Sequence, residues 1–273
     1  MYEFDRSTPV TVALRAHSGV VDVVAEDRVS IQVDVQPMSG GESGVEAAAG
    51  TRVVLEDDTL LIQVPGSDYW SWRRTPKLRI TARVPAGSSL AGKTASADVR
   101  AAGVYGNVTL DVASADVDLG EASGDVDLEA ASGDLTVRRI GGSLRAKSAS
   151  GDVRIGDVTG DVSAETASGD IRTGAVGGSL RAGSASGDIE IGALRQGQAD
   201  IHTASGDITV GVTAGSAVWM DLNTASGKSV TDLAAQGDVP PADNPVALEL
   251  KIRTASGDIR VRRAIASTRN AAA

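Results

Sequence analysis

Hydrophobic and polar positions repeat every nine residues between residues 95 and 193, without an insertion or a deletion. In each nonapeptide the fifth position is a branched aliphatic residue, the sixth is polar and the seventh is mostly apolar, as in ASGDVRIGD and ASGDIEIGA. This alternation predicts a short strand with one buried face. The side chains predicted to lie inside are Val153, Ile155, Val162, Ile171 and Leu180. At the sixth position, Arg154 and Arg172 are predicted to face solvent.

Turn residues separate the predicted strands. The third position of the nonapeptide is Gly except at Ala97 and Ala115, and the fourth is Asp, Asn or Ser. Gly adopts positive φ at little cost, and a short polar side chain can bond to the local backbone, so these positions predict tight turns. Because the nonapeptides begin alternately with Ala and mostly with a larger residue such as Ile140 or Val158, the structural unit is eighteen residues with two unlike halves.

The repeat predicts an all-β fold, a single parallel β-helix or β-roll solenoid with about 18 residues per coil built from paired nonapeptides. One unit cannot bury its apolar face alone, and stacked units form a continuous core. We expect a right-handed solenoid, as is usual for β-crossovers. The alternative is an antiparallel meander with the same turns. The solenoid is favoured, because the meander would leave an apolar face open and no amphipathic helix is predicted to cover it.

The predicted organisation is one domain with irregular ends. Residues 1–90 are predicted to form irregular N-terminal β coils and a cap, residues 91–263 the repeat solenoid, and residues 264–273 a frayed tail. Within the first part, residues 9–37 predict three strands, 40–50 a flexible connector with room for one helical turn, and 51–65 a hairpin around two aspartates.

Composition narrows the function classes. The 273 residues contain no cysteine, which excludes disulfides, thiolate metal sites and a cysteine nucleophile. The formal charge of −10 argues against nucleic acid and anionic membranes as partners. The chain shows no basic leader followed by an apolar run, and no run of about 18 apolar residues, so we expect a cytoplasmic protein without membrane insertion.

Three motifs carry a resemblance to a known family: the TPVTVAL opening, the VPAGSSL segment before the first nonapeptide and the serial TASGDI turns. With these motifs the chain resembles, over essentially its whole length, the bacterial putative-adhesin family of β-strand-repeat proteins, a domain of unknown function. The resemblance implies a β-helical fold. It implies no catalytic residue and no cofactor, since none is attached to the adhesin label.

Aspartates recur at the fourth position of the turns. Those predicted on one edge are Asp98, Asp116, Asp134, Asp152, Asp170, Asp188, Asp207 and Asp258, with Lys228 interrupting the row, while Asp125 and Asp161 lie on the other edge. At a strand spacing of about 4.8 Å, two carboxylates repel by about 1 kcal/mol in water. A row of divalent cations on Asp134 to Asp207 would relieve this repulsion, but calcium β-rolls use GGxGxD loops. We favour carboxylates that accept backbone N–H groups of their own turns beside Arg neighbours, with no metal.

An aromatic loop is the candidate partner-binding site. Its residues are Tyr69, Trp70, Trp72, Arg73 and Arg74. Exposed, they would offer a platform for sugar rings or for a protein surface. Buried, they would plug the end or side of the solenoid, and this second interpretation is favoured.

The favoured function is a non-enzymatic binding or scaffolding module for an unknown protein or carbohydrate partner. We expect no cofactor, and a monomer or weak self-association. One alternative is a self-assembling cytoplasmic structural protein. Less favoured are a calcium-binding β-roll and a carbohydrate-active β-helix enzyme, for which Lys228, Asp207 and His202 are the only candidate cluster.

Overall fold

The computed structural model describes residues 1–39, 41–66, 76–233 and 247–264 of the chain. The elements before the repeats are β1 (Tyr2–Asp5), β2 (Thr11–Glu26), β3 (Ser30–Pro37), α1 (Glu42–Ala49), β4 (Arg52–Glu56), β5 (Thr59–Gln63), β6 (Leu78–Pro85) and β7 (Ser89–Tyr105). The repeats contain β8 (Val108–Ser114), β9 (Val117–Ala122), β10 (Val126–Ser132), β11 (Leu135–Ile140), β12 (Leu144–Ser150), β13 (Val153–Val158), β14 (Val162–Ser168), β15 (Ile171–Val176), β16 (Leu180–Ser186), β17 (Ile189–Leu194), β18 (Gly197–Ser205) and β19 (Ile208–Val212). The last described strands are β20 (Val218–Ser226), β21 (Ser229–Thr231), β22 (Leu248–Ser256) and β23 (Ile259–Arg263).

Each strand from β8 to β17 pairs in parallel with the strand two places later in the chain. Val126 faces Leu144, and Val153 faces Ile171, so the partners lie eighteen residues apart. The even-numbered strands β8–β18 form one stack, called here the first face, and the odd-numbered strands β9–β19 form the second face. The longer strands β2 and β7 contribute to both faces. The prediction of a parallel all-β solenoid is confirmed, and its handedness stays a prediction.

The interior is a narrow stack of aliphatic side chains. Those predicted to be buried are at most 5% exposed, namely Val153, Ile155, Val162, Ile171 and Leu180. Arg154 and Arg172 point outwards, as predicted, and form ion pairs on the surface. One large polar side chain enters the core near its N-terminal end: the Tyr105 hydroxyl donates to the carbonyl of Val23 at 2.8 Å, and burial raises the pKa of this phenol. Apart from this tyrosine, the alternation of apolar and polar residues along each strand correctly predicted which of these side chains are buried.

At the N-terminal end, the strand order in space differs from the order in sequence. Strand β2 lies between β7 on one side and β5 with β6 on the other, all in parallel. Antiparallel strands then cover this end: β4 pairs with β5, β3 pairs with β6, and β1 pairs with β3. Strand β2, although early in the chain, thus lies inside the stack, while β1 and β3 lie at its end.

Of three local predictions for this region, one was wrong, one was right in part and one is confirmed. Residues 9–37 form two strands instead of three, because the chain bends within β2 at Gly19, where φ is +123°, without leaving the sheet. Residues 42–49 form a helix of eight residues, longer than the single turn for which the predicted connector had room, and Ala47 and Ala48 pack against the core. The β4–β5 hairpin around Asp57 and Asp58 is confirmed. Within the described ranges, no helix has the length and apolar character needed to cross a membrane.

The C-terminal end shows the same inversion. Strands β22 and β23, the last in the described sequence, pair with β18 and β19 on one side and with β20 and β21 on the other. The coil formed by β22 and β23 is therefore inserted between the coil of β18 and β19 and the coil of β20 and β21. The coil of β20 and β21 is the outermost one in the described part of the chain. Residues 265–273 of the predicted frayed tail lie outside the described part of the chain.

Candidate functional site

The predicted row of aspartates forms a continuous hydrogen-bonded ladder along one edge of the solenoid, called here the Asp row. In each case the carboxylate Oδ1 accepts the backbone N–H of the equivalent residue one coil further on. The distances are 2.9 Å from Asp134 to Asp152, 3.0 Å from Asp152 to Asp170, 2.9 Å from Asp170 to Asp188 and 2.8 Å from Asp188 to Asp207. The prediction that each Asp binds its own turn was wrong, because stacking in register brings the next coil's N–H within reach.

Arginines offset the charge of the Asp row. Arg154 donates to Asp134 Oδ2 at 2.7 Å and to Asp152 Oδ2 at 2.5 Å, and Arg172 donates to Asp170 at 2.8 Å. The hydrogen bond from Arg154, helped by the backbone N–H of Asp152, lowers the pKa of the Asp134 carboxyl. Across residues 1–39, 41–66, 76–233 and 247–264, no group of three His, Cys, Asp or Glu residues is placed to hold a metal ion. The five aspartates considered as calcium ligands lie in a line instead of converging.

Lys228 ends the Asp row and does not interrupt it. Its backbone N–H donates to Asp258 Oδ1 at 2.9 Å, and that of Asp258 donates to Asp207 Oδ1 at 2.8 Å. The inserted coil thus separates Lys228 from Asp207. His202 lies on the first face, in register with Gly183 and Arg253. The cluster of Lys228, Asp207 and His202 considered for catalysis does not form.

A second ladder of polar side chains follows the opposite edge, and we call it the groove row. Its members are Ser89, Asn107, Asp125, Ser143, Asp161, Ser179 and Gln198. Up to Ser179, each side-chain oxygen accepts the backbone N–H of the next member. The bond is 2.8 Å from Asp125 to Ser143, 3.2 Å from Ser143 to Asp161 and 2.7 Å from Asp161 to Ser179. These bonds fix one polar side chain per coil in the same orientation.

From Asn107 to Gln198, the groove row lines an open groove of about 780 Å³ that runs across the coils. The neighbouring outward column forms its other side, with Thr109, Asp127, Arg145, Ser163, Arg181 and Asp200. Arg145 lies 4.0 Å from Asp127, while Arg181 makes no ion pair within 4.0 Å to any residue of the described ranges. The groove therefore offers cations, carboxylates, hydroxyls and an amide in a long, shallow and polar channel.

An aromatic residue continues the groove row at its C-terminal end. Gln198 is in register with Glu249 of the inserted coil, and Glu249 is in register with Trp219 of the outermost coil. Glu249 lines the groove, and Trp219 is half-buried one coil beyond it. The row thus passes from small polar side chains to an indole.

Sequence reasoning identified only Asp125 and Asp161 in this row. Ser, Asn and Gln occupy the other positions, so no single residue type marks the row, although the fourth position of every second nonapeptide does. Trp219 is connected to the row through Glu249 of the inserted coil, and the order of the residues in the sequence does not show this connection. The predicted partner-binding residues Tyr69, Trp70, Trp72, Arg73 and Arg74 lie outside the described residues, and that prediction stays untested.

Comparison with known proteins gives a family and a set of similar structures. Residues 143–272 match the family described as Toastrack DUF4097. Solved structures covering 95% of this chain include a putative adhesin from Bacteroides fragilis, with 14% identity, 95% of that chain covered and a TM-score of 0.48. A putative lipid binding protein from Parabacteroides distasonis has 13% identity, 95% of that chain covered and a TM-score of 0.47. A putative adhesin from Parabacteroides merdae has 13% identity, 94% of that chain covered and a TM-score of 0.39.

No curated protein matches the sequence of this chain. The family match begins at Ser143, a member of the groove row, and covers the later coils of the repeat, including the inserted one. Together with the in-register parallel coils, it identifies the larger part of the repeat. Residues 143–272 therefore match the Toastrack DUF4097 family.

Proposed function

We propose that this protein is a non-enzymatic binding module that holds an extended polar partner, a carbohydrate or a protein segment, along its groove. The observation that carries this proposal is the groove row, in which one polar side chain per coil is held in place by the backbone of the next coil. The groove is open over its length, which suits a long chain better than a compact small molecule.

The ladder bonds favour binding by reducing its entropic cost. In Asp125 and Asp161, Oδ1 accepts a backbone N–H, and Oδ2 is left for a partner. In Ser143 the oxygen accepts an N–H, and the hydroxyl hydrogen is left to donate. Immobilising a side chain on binding costs about 0.5–1.5 kcal/mol, and a side chain that is already fixed avoids most of that cost.

End-to-end assembly is the second candidate, and the outermost coil argues against it on the second face. Ser229 and Thr231 pair with Ile259 and Val261, which are buried, so polar side chains stand where the neighbouring coil has aliphatic ones. Lys228 has no carboxylate that could accept a backbone N–H from a further coil. Charged and polar residues on edge strands discourage pairing with another chain. On the first face of this coil, Val218, Met220 and Leu222 are apolar and partly buried.

Enzymatic and calcium-binding functions have less support. The carboxylates of the Asp row are engaged with backbone N–H groups and arginines, and Arg154 favours the charged form of Asp134 rather than a proton-donating one. General acid catalysis uses a carboxyl whose pKa is raised towards neutrality. These features support binding without chemical conversion.

Retention of the protein in native gels that contain soluble polymers tests the proposed function. Neutral polysaccharides and extended polar peptides are the two polymer classes. We expect retardation by at least one class, and Asp161→Asn, in the groove, should reduce it. Asp188→Asn is the matched control, because it makes the same change in the Asp row and should leave retardation unchanged. No retardation by either class would contradict the proposal.

Release of products from the retained polymer separates binding from catalysis. We expect no new reducing ends and no unsaturated products after prolonged incubation, and their appearance would favour the enzyme. The cytoplasmic location predicted from the sequence stays a prediction, which cell fractionation with the full-length chain tests.

A further inference from the structure

We infer that the partner is a neutral, linear, β-linked glycan that lies along the groove row with about one sugar ring per coil. This inference rests on the proposed binding function and specifies its ligand. It follows from three features of the groove: its repeat distance, the order of its polar residues and the residue at its end.

The repeat distance favours sugar rings over an extended peptide. In-register parallel strands lie about 4.8 Å apart, so the groove row presents one polar group at each such step. This step is close to the length of one pyranose ring in an extended glycan. An extended peptide places side chains on one face about every 6.6 Å, and these fall out of register with the coils. A glycan can therefore make the same contact at each coil.

The order of the residues favours β-linked rings. From Asp125 to Ser179 the row alternates between a carboxylate, which only accepts, and a hydroxyl, which can also donate. The contact pattern therefore repeats at every second coil. In an extended β-1,4-linked chain successive rings are turned over, so each hydroxyl also returns to the same side at every second ring. An α-1,4-linked chain curves into a helix and cannot follow a straight row.

The end of the groove and its charges point to a neutral ligand. Trp219 is in register with the row and half-buried, so its indole can stack on the C–H face of a terminal ring. Both signs of charge face the groove, with five carboxylates and three cations in its lining: Asp125, Asp127, Asp161, Asp200 and Glu249 against Arg145, Arg181 and Lys251. A strongly charged glycan would meet like charges at several coils, whereas a neutral one uses every group as a hydrogen-bonding partner.

Calorimetric titration with defined oligosaccharides tests the inference. The probes are cellohexaose, cellotriose and maltohexaose, with a polar peptide of matched extended length. We expect cellohexaose to bind at least about tenfold more tightly than cellotriose, because twice as many coils contribute hydrogen bonds. Maltohexaose and the peptide should bind weakly or not at all.

Two groove variants and one control locate the site. Asp161→Asn keeps a ladder acceptor and removes one carboxylate oxygen, and it should weaken cellohexaose binding by about three- to tenfold. Trp219→Ala should weaken it by a similar factor, since the large apolar face that stacks on the sugar ring is lost. Asp188→Asn, in the Asp row, should leave the affinity unchanged. The circular dichroism spectrum and thermal midpoint of each variant show whether the solenoid is intact.

The outcomes separate this inference from the proposed function. If maltohexaose or the peptide binds best and Asp161→Asn weakens that binding, the groove binds polymers but the ligand assignment is wrong. If cellohexaose binds equally well to wild type and to both groove variants with intact folds, the site is wrong. If none of the four probes binds, the ligand assignment fails, and retention by other polymers in the gel assay decides the broader function.

Discussion

At the scale of single residues, the glycines of the ASGD turns determine how closely the coils can stack. Gly169 has φ +144°, and a Cβ added there would lie 2.1 Å from the carbonyl oxygen of Gly151 in the preceding coil. Gly187 and Gly151 meet the same obstacle, at 2.0 and 2.1 Å. An L side chain is therefore excluded both by the local conformation and by the neighbouring backbone.

Gly169→Ala should lower the free energy of unfolding by about 3–5 kcal/mol, since the clash is with backbone that can move only if the coils separate. Gly215→Ala is the control, because Gly215 also has a positive φ, +86°, but an added Cβ would have no atom within 4 Å. It should cost only about 1–2 kcal/mol from the strained φ. Urea unfolding of both variants measures the difference, and equal losses would show that stacking does not require the glycine.

Asp134 should make the stability depend on pH in the acid range. Arg154 lowers the pKa of this carboxyl below its ordinary value of 3.8, so the folded state holds its proton less tightly than the unfolded state does. The resulting stabilisation is complete above pH 3.8 and is lost as the pH falls through the lowered folded pKa. Arg154→Gln should remove much of it. Because the pair is half-exposed, the effect on stability should be small.

Carboxyl chemical shifts followed by NMR test this point directly. In Arg154→Gln the pKa of Asp134 should rise towards its ordinary value, with the backbone N–H of Asp152 holding it partly down. An unchanged pKa in the variant would mean that the arginine does not set the charge of this carboxylate.

At the scale of elements, strand β21 differs from every second-face strand below it. Where Ile259 and Val261 of β23 face the core, β21 has Ser229 and Thr231, and Lys228 stands at the end of the Asp row. The element has lost the features that stack one coil on the next. Its sequence therefore suits a strand that no further strand should join.

Restoring the repeat sequence in β21 should create an end-to-end contact. The triple variant Lys228→Asp, Ser229→Ile and Thr231→Val is expected to sediment as concentration-dependent oligomers, whereas wild type stays monomeric at the same concentrations. Thr136→Val, which adds an apolar group at an outward position of β11, is the control and should remain monomeric. Self-association of the wild-type protein would show that these three residues do not protect the edge.

At the scale of the whole molecule, the chain inserts a late segment at its C-terminal end and an early one at its N-terminal end. Residues 248–263 lie between 197–212 and 218–231, and residues 11–26 lie between 59–85 and 89–105. Each inserted coil is paired on both sides. Fraying from the C-terminal end of the described stack must therefore begin with residues 218–231, an internal stretch of the chain, whereas at the other end the terminal strand β1 lies outermost against β3.

Engineered disulfides test this coil order, since the chain has no cysteine of its own. Ser256 is in register with both Ser205 and Ser226, and all three are exposed. The pairs Ser205→Cys with Ser256→Cys, and Ser226→Cys with Ser256→Cys, should form disulfides, because adjacent strands place Cα atoms about 4.8 Å apart. Ser205→Cys with Ser226→Cys should stay reduced. A disulfide in that last variant would contradict the insertion.

Calcium should not stabilise the molecule as a whole. One oxygen of each carboxylate in the Asp row already accepts a backbone N–H, and these carboxylates lie in a line instead of converging, so we expect no rise in thermal midpoint between chelator and millimolar calcium. A ligand that binds only the folded state would raise it by mass action. A clear rise would show that the Asp row, or another acidic surface, binds the ion.

The sequence by itself determined the strands, the turns and the inward residues of the repeat, because these depend on interactions within one or two coils. Val153 and Ile155 are buried, and Arg154 is outside, by the period-two geometry of a strand alone. Helix α1 was predicted only as one turn within a connector, because it has just eight residues, four of them glycine or alanine, and its stability depends on packing against the core.

Only the tertiary structure decided which coil lies on which. The segments 197–212, 218–231 and 248–263 carry nearly the same pattern, and local preferences allow any order among them. The stacking order of these coils depends on which strands can pair along both edges and which can leave one edge unpaired. This is a property of the whole stack of coils. The groove row was settled in the same way, since Glu249 of the inserted coil lies between Gln198 and Trp219 in the row.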